Sequence, residues 1–263
     1  MTSNSEIDRQ ESIPWHRTGF YSEYNTILGK YKIESCLKYM HKSSVLDLAC
    51  GDGFLTSLYC QKFKRVVGVD ASKKHLDEAR KRLPHVQFIH SLIEDITFEE
   101  QFDNVLLLDI LEHVKDPHQV LQVASRYLKP EGTLIIHVPN SNAINRRIAV
   151  LMGTLETCDE LSPFDLNVAG HRRSYVRSSL ISDIEKAGLT VIDSGGIFFK
   201  MLSTPQMDWF LKNGLWEEGG FGWGRVGAEK KDWKAEFCRA CYEIGKEYPD
   251  DCNIVYAIVK KNE

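Results

Sequence analysis

The 263-residue sequence predicts an α/β fold on a doubly wound, mostly parallel sheet, and three observations carry that reading. Short apolar runs alternate with helix-compatible stretches every ~20–25 residues through the first half, the signature of parallel strands joined by helical crossovers. The first run enters a glycine-rich turn, Ala49-Cys50-Gly51-Asp52-Gly53, and the second ends in an acid, Asp70, about 20 residues on. A composition of 43% hydrophobic, 27% charged and 10% aromatic residues is ordinary for a globular chain and excludes disorder over most of the length.

The elements follow in order. Residues 1–12 are polar and are expected to fray. An aromatic-rich segment over 13–41 takes helical spacing towards its end. A strand over 44–49 and its turn lead into a helix reaching about 64, and a second strand covers 65–70. Ser72 stands as N-cap of an amphipathic helix over 72–83, which Pro84 breaks. A third strand spans 85–90. The fourth, over 104–110, is nearly all apolar, as suits a strand covered on both faces. A helix over 116–128 and the turn Lys129-Pro130-Glu131-Gly132 precede a fifth strand over 133–138.

Beyond that point the pattern loosens. Residues 140–173 read as an irregular insertion with a short helix over 143–152. A helix over 175–187 is stopped by Gly188, with Ser174 as a candidate N-cap. A sixth strand covers 189–199 with a break at Gly195-Gly196, and a seventh covers 253–260, near the sheet edge. The Gly- and Trp-rich stretch 214–233 reads as a lid or an interface segment, for the acceptor site or for a second copy in a homodimer.

Charge and cysteine usage narrow the function. Thirty-three Lys and Arg against 37 Asp and Glu leave a net charge of −4, so no nucleic-acid partner is expected. No apolar run approaches the ~20 residues of a membrane span, and the first residues lack the apolar centre of a secretory signal. A cytoplasmic protein without membrane association is the expectation. The seven cysteines contain one C-x-x-C pair, Cys238 and Cys241, on a helical stretch without a second pair or nearby histidines. They read as ordinary thiols, and no metal site is expected.

The chemistry concentrates at the ends of the first strands. A turn as tight as Cys50-Gly51-Asp52-Gly53 needs residues without a Cβ, both for backbone freedom and to let a ligand approach the main chain. Asp70 is placed to take both hydroxyls of a ribose. The turn is not G-x-G-x-x-G, has no Lys-Ser/Thr, and sits among Asp47 and Asp52, which suits a cationic ligand better than a pyrophosphate.

These residues resemble the class I S-adenosylmethionine (SAM)-dependent methyltransferases. Val45-Leu46-Asp47-Leu48-Ala49-Cys50-Gly51-Asp52-Gly53 matches the family's first motif, with Ala49 in place of its first glycine. Leu108-Asp109-Ile110-Leu111-Glu112-His113-Val114-Lys115-Asp116-Pro117 is very like its Leu-Glu-His-Val-x-Asp-Pro segment. Leu128-Lys129-Pro130-Glu131-Gly132 followed by Val138-Pro139-Asn140 matches the stretch around the fifth strand. Look-alikes within the family act on small molecules, ubiquinone-biosynthesis enzymes among them. The resemblance implies a Rossmann-like seven-stranded sheet with an N-terminal tail and helical lid over 1–40. The methyltransferase domain then covers 41–263, with insertions after strands 5 and 6 at about 140–174 and 200–250. It implies SAM as cofactor, held by Asp47, Ala49, Gly51, Gly53, Asp70, Ala71, Ile93 and Asp109.

On the acceptor side, His113, just past strand four, and His171 are the candidate bases, since an imidazole titrates near neutrality. His137 reads as a core residue. Asn140 and Arg172 are candidate acceptor contacts, with Arg146 and Arg147 adding to a basic patch that suits an anionic or sugar-like molecule. Tyr21 and Tyr24, with Trp15, form a lid over the sulfonium or pack a helix on the sheet edge. A small polar acceptor methylated at O or N is the leading expectation. A non-catalytic SAM-binding scaffold and an RNA or protein methyltransferase are the alternatives.

Overall fold

The computed structural model describes residues 3–13, 22–41, 43–213 and 232–262. Strands β1 (Ser44–Leu48), β2 (Arg65–Asp70), β3 (Gln87–His90), β4 (Phe102–Leu108), β5 (Leu128–Pro139), β6 (Leu189–Ile197) and β7 (Ile254–Lys261) form one sheet in the order β3-β2-β1-β4-β5-β7-β6. The five strands from β3 to β5 are parallel. The last strand, β7, is inserted antiparallel between β5 and β6.

Period-2 alternation assigns the two faces. Leu46 and Leu48 of β1, with Val105 and Leu107 of β4, pack on one side beneath α5 (Pro117–Tyr127) and α7 (Arg177–Lys186). Val45, Leu106 and Ile135 face the other side, under α2 (Glu23–Leu37) and α4 (Lys73–Arg82). The sheet is therefore covered on both faces, as its continuous apolar strands require. A third cluster joins Tyr24, Leu28 and Tyr31 of α2 to α8 (Thr204–Asn213) and α9 (Trp233–Glu247).

Caps behave as their residue types dictate. Ser72 accepts the His75 N–H at the start of α4, and Asp116 accepts the N–H groups of His118 and Gln119 at the start of α5. Ser174 does not cap α7: its hydroxyl donates to the Asp159 carbonyl, and the Val176 N–H donates instead to Ser179 Oγ at 3.0 Å. The helix expected to run to about 64 is one turn, α3 (Phe54–Ser57), followed by a 3-10 turn. Gly195 and Gly196 do not break β6 but stay in register with Tyr256 and Val255. They are glycines because a Cβ would stand 2.7 Å from the Tyr256 hydroxyl oxygen and 2.4 Å from the Pro249 carbonyl, respectively.

Residues expected to fray form helix α1 (Ser3–Ser12), which bridges two distant segments. Arg9 donates to the Gly170 carbonyl at 2.8 Å, and the Lys73 N–H donates to Glu11 at 2.6 Å. All seven cysteines are free thiols, Cys238 and Cys241 lying on α9. His137 is fully buried in β5, 3.3 Å from Cys36 Sγ. Among the described residues no helix is long and apolar enough to cross a membrane.

Candidate active site

Strand order reverses direction between β1 and β4, and ligands of open α/β sheets bind beyond the strand ends at such a switch point. A cavity of about 840 Å³ opens there and reaches from the β1 turn to the start of α8. Three non-glycine residues with left-handed backbone stand at strand ends: Ala49 (φ 65°) after β1 and Asp109 (φ 56°) after β4, which line the cavity, and Phe198 (φ 68°) after β6, buried two residues before Lys200 of the wall. Strain of this kind gathers where the chain must aim groups at a ligand.

The cofactor corner is built on Gly51 and Asp70. Gly51 has φ 57°, and a Cβ added there would meet nothing within 4 Å, so it would project into free space at the cavity wall. Its N–H donates to Asp70 Oδ2 at 2.9 Å, the Ser72 N–H donates to Oδ1 at 2.8 Å, and His75 Nδ1 lies 3.6 Å from Oδ1. Each carboxylate oxygen thus spends one lone pair on the scaffold and keeps another for a hydroxyl. A bare glycine backbone beside an oriented strand-end carboxylate fits the ribose and amino-acid parts of SAM.

Ala49 carries a cost here. An L-residue in left-handed geometry loses about 1–2 kcal/mol, while glycine gives part of this back through unfolded-chain entropy. Ala49→Gly is therefore expected to stabilise the protein by about 0.5–1 kcal/mol, read as a rise in Tm, without weakening S-adenosylhomocysteine binding. A fall in Tm would refute the strain.

Four of the eight expected cofactor residues line the cavity: Ala49, Gly51, Asp70 and Asp109. The other four do not. Asp47 turns into the interior, where Oδ2 accepts Thr56 Oγ1 at 2.7 Å and the Tyr59 hydroxyl at 2.6 Å. Gly53 packs on α4, an added Cβ standing 3.2 Å from Ala79 Cβ. Ile93 is buried in the apolar core, and the Ala71 carbonyl meets His90 Nε2 at 2.9 Å.

The acceptor corner lies past β4. Lys32 reaches from α2 to pair with Asp109 Oδ2, leaving Asp109 Oδ1 buried without a partner. Both carboxylate oxygens of Glu112 are likewise buried without a hydrogen bond, Oε1 lying 3.6 Å from His113 Nε2, and burial, then the charge of Asp109, pushes the Glu112 pKa well up. His113 packs edge-on against His171 with ring centroids 4.8 Å apart. Burial, then repulsion from His171, holds His113 down to about 3, so it is neutral. Burial also lowers His171, against the pull of Asp165, whose Oδ1 is 3.6 Å from Nδ1. Glu112, His113 and His171 bring one ligand atom each within 4.8 Å of one another, a set able to hold a divalent cation. The expectation of no metal came from cysteine spacing, which this cluster does not use.

Of the expected acceptor contacts, His171 lines the cavity and Arg172 does not. The Arg172 guanidinium is spent on both Glu6 oxygens, at 2.9 and 2.7 Å, and on the His113 carbonyl at 2.8 Å. Asn140 reaches the wall, but its amide is committed to the carbonyls of Asp250 and Cys252. Tyr24 is fully buried, its ring edge-on to Phe198, and takes no part in the lining. Trp15, Tyr21 and residues 214–231 lie outside the described residues. Sequence reasoning missed Lys32 and Lys200, because nothing local marks a lysine whose amine is turned inward. It noticed Glu112 but had no signal that both of its oxygens are buried without a hydrogen bond.

A doubly wound seven-stranded sheet, a glycine turn at the end of β1 and a strand-end acid on β2 together define a class of cofactor-binding transferase. Through its first half the chain is similar to SAM-dependent methyltransferases. The family model described as "Methyltransferase domain" matches residues 46–136. The ubiquinone biosynthesis O-methyltransferase of Dinoroseobacter shibae is 29% identical over 164 residues, covering 60% of this chain and 64% of that protein. Its counterpart in Rickettsia bellii is 25% identical over 214 residues, covering 76% and 87%. Three other such relatives are matched over only 44 to 51% of their length. In fold, the N-methyltransferase NodS of Bradyrhizobium japonicum, solved with S-adenosylhomocysteine, superposes with a TM-score of 0.56 at 12% identity over 100% of both chains.

Proposed function

We propose that the protein transfers a methyl group from SAM to a hydroxyl oxygen of a small polar molecule. The observation that carries this reading is that one cavity holds both corners, Gly51 with Asp70 and Glu112 with His113 and His171. Methyl transfer from a sulfonium is an in-line displacement: the S–CH3 bond breaks as the O–CH3 bond forms, and the hydroxyl proton must leave. The protein supplies positioning, water exclusion and a base. His113, whose conjugate acid is held near 3, is a poor base, so His171 is the proton acceptor and Asp165 steadies the imidazolium that results. The curated relatives, named as O-methyltransferases of ubiquinone biosynthesis, support oxygen as the target.

A second reading of the same corner is favoured by the buried Glu112 oxygens, which make no hydrogen bond. A divalent cation on Glu112, His113 and His171 would bind an acceptor oxygen and lower its pKa. One experiment serves both readings: methyl-labelled SAM offered to hydroxylated and aminated small molecules, with EDTA or with added Mn2+. Label on hydroxylated acceptors is the expected result. Dependence on Mn2+ selects the second reading, and label on amines alone would overturn oxygen as the target. Binding of S-adenosylhomocysteine with no acceptor labelled would support a scaffold.

A further inference from the structure

The basic patch expected around the acceptor does not exist as free charge. Arg172 is held by Glu6, Arg147 by Asp251 at 2.6 Å, and Arg146 by Asp165 at 3.3 Å together with the carbonyls of Cys158 and Glu160. Arg173 clamps the carbonyls of Leu111, Val114 and Lys115. Lys32 is paired with Asp109. Among the described residues that line the cavity, this leaves Lys200 as the lysine or arginine with no ion pair and no clamp on backbone carbonyls.

Lys200 is only 5% exposed, yet it forms part of the cavity wall. Its ammonium donates to Thr204 Oγ1 at 3.1 Å and lies 5.0 Å from the centre of the Tyr24 ring. An ammonium with three donors is left with one hydrogen-bond acceptor and one ring face. The backbone is bent to put it there: Phe198 takes φ 68° immediately after β6, and the chain then turns into α8, whose positive end begins at Thr204. The neighbouring carboxylate, Asp208, is turned to the Tyr24 N–H, which its Oδ1 accepts at 2.9 Å.

Resting on the methyltransferase reading above, we propose that Lys200 determines acceptor specificity by receiving a carboxylate of the acceptor at the start of α8. The charge count favours a carboxylate over a phosphate: with Asp208 beside the ammonium the local charge is already zero, so a monoanion adds one uncompensated negative charge and a dianion adds two. The Thr204 hydroxyl, already touching the ammonium, is in reach of the same anion.

Burial lowers Lys200 to about 7, opposed by Asp208 of α8 and reinforced by Lys32 of α2 and Arg146 of α6 (Ile144–Leu151). Tyr24 of α2, which also faces it, is fully buried and its hydroxyl pKa is raised, so it stays neutral. Carboxylate binding therefore weakens as pH rises through that value and the ammonium loses its proton.

The test is ligand-observed NMR on protein saturated with S-adenosylhomocysteine, using benzoate, its neutral analogue benzamide, and phenyl phosphate. The wild type is expected to prefer benzoate over benzamide by about tenfold or more below neutrality, with the preference shrinking as the amine deprotonates. Lys200→Met should abolish the preference, and Lys200→Arg, which keeps the charge, should retain it. Equal binding of benzoate and benzamide, no benzoate binding, or a preference that survives Lys200→Met would overturn the proposal. A preference for phenyl phosphate would transfer the site to phosphorylated acceptors. Failure of the protein to bind S-adenosylhomocysteine at all would show separately that the underlying reading is wrong.

Discussion

Asp70→Ala is expected to weaken S-adenosylhomocysteine binding by about 30- to 1,000-fold, the equivalent of roughly 2–4 kcal/mol, while the protein remains folded. The size follows from what the carboxylate is free to do. One lone pair on each oxygen is taken by the Gly51 and Ser72 N–H groups, and the remaining pairs are the ones two ribose hydroxyls would use. Hydrogen bonds to a charged group contribute about 1.5–3 kcal/mol each, and part of that is recovered by water in the variant. Alanine also frees the Gly51 N–H, so the turn after β1 loses its anchor. Asp70→Asn keeps a single acceptor oxygen and should fall between wild type and alanine. Calorimetric titration beside a thermal melt decides the matter. Full-affinity binding in Asp70→Ala would remove Asp70 from the cofactor site.

The fold was legible because its signals are local. β2 is predicted with its observed bounds, and the cap Ser72 sits where a short acceptor side chain meets free N–H groups. The cofactor corner was partly legible for the same reason: Gly51 and Asp70 announce themselves by residue type at matched strand ends. The acceptor corner was not. Arg172 and Arg146 look like substrate contacts in a linear reading, yet Glu6 lies 166 positions away from Arg172 in sequence and only folding reveals that the two are paired. Lys200 shows the converse, a residue with no motif around it whose placement depends on a left-handed Phe198 and on the packing of α8 against α2. Long-range pairing decides which charges are spent and which are left, and that information is not carried by spacing.

Asp47→Ala is expected to have the opposite signature to Asp70→Ala: a large loss of stability without a specific loss of ligand contacts. Both acids lie in the same strand–turn–strand unit, and the resemblance places both on the cofactor. The structure separates their tasks. Asp47 Oδ2 accepts two buried hydroxyls, those of Thr56 and Tyr59, and so ties α3 to the strand beneath the turn. Removing the carboxylate takes the shared acceptor from both hydroxyls in the interior, at a cost of about 3–5 kcal/mol. For a domain of this size that lowers Tm by roughly 6–10 °C. Asp47→Asn retains an acceptor oxygen and should lose less. Its deficit has a predicted pH dependence. Burial raises the Asp47 pKa despite the two hydroxyl donors, which pull it down. An acid raised in this way contributes stability that is full below its unfolded pKa, about 3.9, and is lost as pH climbs through the folded value. The gap between wild type and Asp47→Asn should therefore narrow from acid to neutral pH, measured by denaturant unfolding at each pH. A gap that widens would mean the buried carboxylate is stabilised in its charged form. At temperatures where Asp47→Ala is still folded, its affinity for S-adenosylhomocysteine should stay near that of the wild type, which is the measurement that separates a residue holding the turn from one holding the ligand.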